Sequence, residues 1–160
     1  MNTEQQFVQL LQQNKEKYYR LAFAYTKNQQ DALDIVYGAI VRAMQKLHTI
    51  KKREFMDTWF YRILINESVS FLRRSQNIIY FDELPQLADQ QPDTDQHIAL
   101  YSAIDRLSPE LKTIVILRFF EDRPLKEIAA LTSTNLSTVK ARLYRALKIL
   151  KIEIGSQDDD

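Results

Sequence analysis

The sequence predicts an all-α chain, two small helical domains joined by a linker, and three observations lead there. Apolar residues recur at helical spacing through two long stretches, and few segments alternate with the two-residue period of strands. The 160 residues include only 2 Gly and 4 Pro, too few turn formers for a many-stranded fold. One stretch, Ser75 to Gln96, loses the helical period and carries two prolines and five acids, so it reads as a linker. These breaks divide the chain into residues 1–76, a linker at 77–96, residues 97–152 and an acidic tail at 153–160.

In the first domain, Tyr18, Leu21, Ala22 and Tyr25 mark a helix ending near Asn28. Asp31 is the expected cap of a second, in which Ile35, Val36, Ala39, Ile40, Ala43, Met44 and Leu47 recur along one face. Gly38 falls in its middle and costs roughly 1 kcal/mol relative to alanine. A basic loop, Lys51-Lys52-Arg53, precedes a third helix from about Asp57 to Arg74, with Phe60, Ile63, Leu64, Phe71 and Leu72 facing the core. Three such faces suffice for a small bundle. Within the linker, Ile78-Ile79-Tyr80-Phe81 is apolar enough to dock on a domain.

From His97, the residues Ile98, Ala99, Tyr101, Ile104 and Leu107 keep helical spacing. Ser108-Pro109-Glu110 then starts a new helix, serine as cap and proline in its first turn. That helix, LKTIVILRFF, ends at Glu121 to Pro124 and is followed by LKEIAALT and a basic helix from about Leu136 to Ile152.

Composition excludes several functions. There is no Cys, hence no disulfide, thiolate zinc site or cysteine nucleophile. His48 and His97 lie in different domains without ligand spacing, and no glycine loop could cradle a phosphate. Neither a catalytic residue, a metal nor a cofactor is expected, and the reading is non-enzymatic. No run nears about 18 apolar residues, and the start MNTEQQ lacks a signal-peptide pattern, so a cytoplasmic protein without membrane insertion is expected. The net charge of +1 conceals a division. Residues 1–78 hold 12 basic and 7 acidic side chains, and residues 96–152 hold 10 and 5; the stretches 79–95 and 153–160 hold 5 and 4 acids and no base.

The second basic block contains a helix-turn-helix pattern. A short helix, the polar turn Ser133-Thr134-Asn135 and a longer helix share an apolar set of Ile128, Ala129, Leu131, Leu136, Val139 and Leu143. Asn135 or Ser137 can cap the longer helix. At 100° per residue its apolar arc comprises Leu136, Val139, Leu143, Ala146, Leu147 and Leu150. Ser137, Thr138, Lys140, Arg142, Tyr144, Arg145 and Lys148 occupy the rest, and residues 136–151 carry five bases and no acid. Surface helices ordinarily mix signs; a helix that displaces counterions from duplex phosphates needs one sign only. In the first domain, Trp59, Arg62, Asn66, Ser70 and Arg73 line up at spacings of 3, 4, 4 and 3 behind Lys52 and Arg53. Cations beside an aromatic suit an unpaired strand, while a core role for Trp59 fits the spacing equally well.

The segments DALDIVYGAIVRAMQKL, FMDTWFYRILINESVSFLRR and LSPELKTIVILRFFEDRPLKEIAALTSTNLSTVKARLYRALKIL, in this order around an acidic linker, resemble regions 2 and 4 of bacterial sigma factors of the extracytoplasmic-function class. The resemblance covers about residues 14–74 and 97–152. It implies a subunit that joins core RNA polymerase and recognises promoter DNA, under control of an anti-sigma factor, often membrane-anchored. It further implies that Asp34, Val41 and Arg42 face the polymerase, and that Lys52, Arg53, Trp59, Arg62, Asn66 and Arg73 lie near the opened −10 strand, where a base is flipped out. Ser137, Thr138, Lys140, Arg142, Tyr144, Arg145 and Lys148 would then meet the −35 duplex. Two departures stand out: Tyr37-Gly38 replaces the family's frequent Gln-Glu pair, and Ser133 stands where the turn usually has glycine. The competing reading is a stand-alone helix-turn-helix regulator with a sensor or dimerisation bundle.

Overall fold

The computed structural model describes residues 1–75 and 96–154, with side chains for 1–75 and 100–151. The apolar Ile78–Phe81 cluster, the linker acids and the acidic tail lie outside the described residues. The helices fall into two compact units, the first spanning Met1–Arg74. It comprises α1 (Thr3–Thr26), α2 (Gln29–Gln45) and α3 (Met56–Arg74). The second comprises α4 (Gln96–Asp105), α5 (Pro109–Val115), α6 (Leu125–Thr132) and α7 (Leu136–Ile154). No strand occurs among the described residues.

In the first unit the helices pack pairwise around Tyr18, Leu21, Ile35, Phe60 and Leu64, all buried. Each fully buried side chain of this size contributes about 1.5–3 kcal/mol. α1 starts earlier than its apolar period suggests, because Asn2 and Gln5 form a reciprocal capping box, each side chain bonding the other's backbone N–H. The helix kinks at Asn14, whose amide donates to the Leu10 carbonyl at 3.0 Å.

Asp31 is not the cap of α2. Asn28 holds that place, its side-chain oxygen accepting from the Asp31 N–H at 2.8 Å, and Asp31 sits in the first turn. The buried face of α2 is also narrower than the apolar period, consisting of Ala32, Ile35, Ala39 and Ala43. Small residues let α2 approach α1 and α3 closely, which leaves Met44 exposed instead of in the core. The basic segment is only partly a loop: Lys51 and Lys52 are irregular, whereas Arg53–Phe55 form a 3-10 turn leading into α3.

In the second unit Ser108 caps α5 as expected, its hydroxyl accepting from the Leu111 N–H at 3.4 Å. The stretch read as one helix ends in a π turn over Ile116–Phe120, where the Glu121 N–H reaches the Ile116 carbonyl at 2.9 Å. One extra residue per turn shifts the face. Ile116 and Leu117 stay buried while Phe119 and Phe120 emerge.

The apolar arc expected for α7 needs one correction. Leu147 is exposed and Ile149 is fully buried. The first half of α7 packs on α6, but its second half joins Ala103, Ile104 and Leu107 before α5 with Leu111 and Val115 of α5 in one cluster. A new set of neighbours turns the buried face around the helix.

Candidate nucleic-acid interface

The helix-turn-helix is built from α6 and α7. Ser133 closes α6 in the left-handed region at φ 57°, ψ 40°, and the next N–H, of Thr134, returns to the Ala129 carbonyl at 3.0 Å. A serine accordingly adopts the conformation that glycine takes without strain. Thr132 and Thr134 pair their hydroxyls at 2.9 Å across the turn, and Thr132 also donates to the Ile128 carbonyl at 2.7 Å. Of the two candidate caps for α7, Asn135 is the one used, accepting from the Thr138 N–H at 2.8 Å. Ile128, Leu131 and Val139 are buried between the helices, with Ala129, Leu136 and Leu143 at the margin.

That packing turns one face of α7 outward. Ser137, Lys140, Tyr144 and Lys148 form an exposed strip at spacings of 3, 4 and 4, with Arg145 exposed beside it and Tyr144 73% exposed. Thr138 is half-buried near the cap. Arg142 is half-buried beyond Arg145 on the same flank, where the two border a cleft of 410 Å³ with Ser108, Glu110 and Leu111. The seven sequence-predicted positions are thus an exposed strip plus a flank.

In the first unit, Arg62, Asn66, Ser70 and Arg73 share one exposed face of α3. Trp59 lies on the same face but is half-buried, its ring meeting the edge of Phe7 at 6.2 Å. It is neither wholly core nor a free platform; α1 anchors it with part of the ring accessible. The α3 entry is tied down by Asp57, which accepts from Lys17 Nζ at 2.9 Å and from the Tyr18 hydroxyl at 2.5 Å. Burial first, and then the hydrogen bond to Asp57, push the Tyr18 phenol well above its ordinary value, so it remains a donor.

Arg53 reaches back to α1's end of the chain, donating to the Met1 carbonyl at 2.8 Å while its own carbonyl accepts from Gln6 at 3.2 Å. Beside it opens a cleft of 260 Å³ lined by Gln6, Gln9 and Gln13 of α1 and by Arg53, Glu54 and Asp57. Sequence reasoning missed these glutamines. Their spacing of 3 and 4 on one helix face was the available signal.

The expected polymerase-facing residues of α2 divide. Asp34 and Val41 are exposed and lie on a stripe with Tyr37 and Met44, at spacings of 3, 4 and 3. Tyr37, Val41 and Met44 are 61%, 56% and 42% exposed, an uncovered apolar strip on the face opposite the core. Arg42 lies off this stripe and faces α3, where its Nε donates to Glu67 Oε1 at 2.8 Å. The Glu67 carboxylate packs against Gly38, 2.9 Å from where a β-carbon would stand.

Among the described residues no cluster of acids and histidines could hold a metal ion, and no helix is long and apolar enough to cross a membrane.

Two family models match the chain: Sigma-70 region 2 over residues 10–78 and Sigma-70, region 4 over residues 97–150. The RNA polymerase sigma factor SigV of Bacillus subtilis is 42% identical over 98% of this chain and 95% of its own length. The ECF RNA polymerase sigma factor SigE of Mycolicibacterium smegmatis is 28% identical over 89% of this chain, which spans 59% of that protein. Among solved structures, the sigma factor RpoE bound to the anti-sigma factor NepR from Bartonella quintana matches with a TM-score of 0.67 at 21% identity, covering 95% of this chain and 98% of that one.

Proposed function

This chain belongs to the sigma-70 family, and we infer from its two matched regions that it is an RNA polymerase sigma factor of the extracytoplasmic-function class. It binds core RNA polymerase and directs it to promoter DNA, and an anti-sigma factor is its natural antagonist. The polymerase supplies the chemistry; the chain itself contributes recognition and no catalysis, and acts in the cytoplasm. Residues 1–76 and 97–152 are the two recognition domains, with 77–96 as the connection.

The observation that best supports this reading is that one bundle exposes two different faces. The α2 stripe is apolar at Tyr37, Val41 and Met44 with the acid Asp34 at its N-terminal end, and suits a protein surface. The α3 stripe of Trp59, Arg62, Asn66 and Arg73, continued by Lys52 and Arg53, is cationic with one aromatic and suits an unpaired strand. A sensor or dimerisation bundle has no use for the second face.

The mechanism follows from these surfaces. The α2 stripe docks on polymerase by excluding water from its apolar side chains. The exposed strip of α7 enters the −35 major groove, with Lys140, Arg145 and Lys148 neutralising phosphates and Ser137, Thr138, Arg142 and Tyr144 near base edges and backbone. At the −10 element the accessible part of Trp59 stacks where the duplex parts. The glutamine-lined cleft receives the flipped base, since amides both donate and accept along a base edge.

Run-off transcription with core polymerase over a randomised promoter library tests the whole reading. Enrichment of two conserved elements at fixed spacing is expected. Absence of any complex with core polymerase would refute it.

A further inference from the structure

We propose that Arg42 of α2 and Lys46, the residue that caps the end of α2, form with Asn66 and Ser70 of α3 a clamp for the sugar-phosphate backbone of promoter DNA, and that Glu67 holds Arg42 until DNA replaces it. This rests on assigning the α3 stripe to the −10 region.

The residues meet in one cleft of 240 Å³ between α2 and α3, lined by Arg42, Lys46, Ile63, Asn66, Glu67 and Ser70. Asn66 and Ser70 belong to the α3 stripe, so the cleft continues that face across to α2. At about 100° per residue, Arg42 lies roughly 120° around α2 from the centre of the Asp34–Tyr37–Val41–Met44 stripe, and Lys46 caps the C-terminal end of the helix. A protein docked on that stripe would leave the cleft open. Two cations and two uncharged hydrogen-bonding side chains match a phosphodiester, which offers one negative charge and unhindered acceptor oxygens.

Glu67 is the one acid in the cleft, and its place there depends on a backbone feature. Its side chain is 11% exposed and engages Arg42 through Nε alone, leaving the terminal guanidinium nitrogens to reach a ligand. Its other oxygen occupies the space that a side chain at position 38 would fill, so Gly38 makes room for it. In the free protein the pair lowers the attraction of this face for DNA at large; a phosphate brought alongside replaces the carboxylate as Arg42's partner.

The test uses the full chain reconstituted with core polymerase and a fluorescein-labelled promoter fragment taken from the library selection, titrated by anisotropy across a salt series. Arg42→Ala should weaken promoter binding about three- to tenfold and reduce the salt slope by about 0.7 to 0.9. Its affinity for core polymerase should stay within about twofold of the unaltered chain, whereas Val41→Glu lowers core affinity. Glu67→Gln should strengthen promoter binding. Because Arg42→Ala leaves Glu67 unpaired, the double variant R42A/E67Q must show the same loss of slope, and Arg42→Lys must restore it. The proposal is overturned if Arg42→Ala leaves the salt slope unchanged, or if it lowers core affinity as Val41→Glu does, which would assign the cleft to an acidic protein partner. Failure of the unaltered chain to bind core polymerase would overturn the functional reading instead.

Discussion

Replacing Gly38 by alanine sets two effects of similar size against each other. Alanine in the middle of α2 gains about 1 kcal/mol over glycine in helix propensity. The new β-carbon, however, would stand 2.9 Å from Glu67 Oε2 and 3.4 Å from its carboxyl carbon, too close to remain. What must move is the far end of a flexible side chain, so the strain is relieved by swinging Glu67 away and opening its pair with Arg42. That pair, with Arg42 57% exposed, is worth under about 1 kcal/mol. Gly38→Ala should therefore change stability by between 0 and about +1 kcal/mol, while releasing Arg42. In a Glu67→Ala background nothing blocks the β-carbon, and the full gain of about 1 kcal/mol should appear. Urea melts of the four proteins, followed by the single tryptophan, Trp59, in the first unit, give the cycle. A loss beyond about 1 kcal/mol in the Glu67 background, or an equal effect in both backgrounds, would refute the reasoning. Release of Arg42 should also raise promoter affinity in the same direction as Glu67→Gln.

Ser133→Gly should stabilise the second unit by about 0.5–1 kcal/mol, because the left-handed conformation costs a non-glycine residue about 1–2 kcal/mol and the extra freedom of the unfolded chain returns part of that; calorimetry on the full chain measures it. Tyr18→Phe should cost about 1–3 kcal/mol at neutral pH by removing a hydrogen bond to a carboxylate. The folded chain keeps the Tyr18 proton that the unfolded chain releases from about pH 10 upward, so this stability is complete below that pH and declines above it. Urea midpoints of Tyr18→Phe should accordingly fall less steeply above about pH 10, and an unchanged slope would contradict the assignment. Trp59→Ala should lose about 0.5–1.5 kcal/mol of stability from the Phe7 contact and much of the strand opening, read by permanganate reactivity of −10 thymines, while −35 duplex binding persists.

Much of the fold was legible because helical periodicity reports burial wherever a helix meets one continuous core. Tyr18, Leu21, Ala22 and Tyr25 obey it, as do Ile128, Leu131 and Val139. It fails where neighbours change along a helix. Ile149 lies in the arc that reads as cationic, yet α4 and α5 cover it, and Leu147 is left outside. The capping of α2 by Asn28 instead of Asp31 is an error of three positions between two good cap residues, a choice made by where α1 ends.

The residues proposed for recognition show the same limit. The one-sided charge of α7 and the stripe of α3 follow from local spacing on single helices, so the sequence by itself determined them, along with the all-helical fold and the family. Tertiary structure alone decided which helix faces adjoin. It exposed the α2 stripe by burying the opposite face of Ala32, Ile35, Ala39 and Ala43, brought Gln6, Gln9 and Gln13 beside Arg53, and carried Glu67 onto Gly38 and onto Arg42, which is 25 residues away in sequence. Periodicity records which side of a helix avoids water; it holds no information about which side of another helix will be met there.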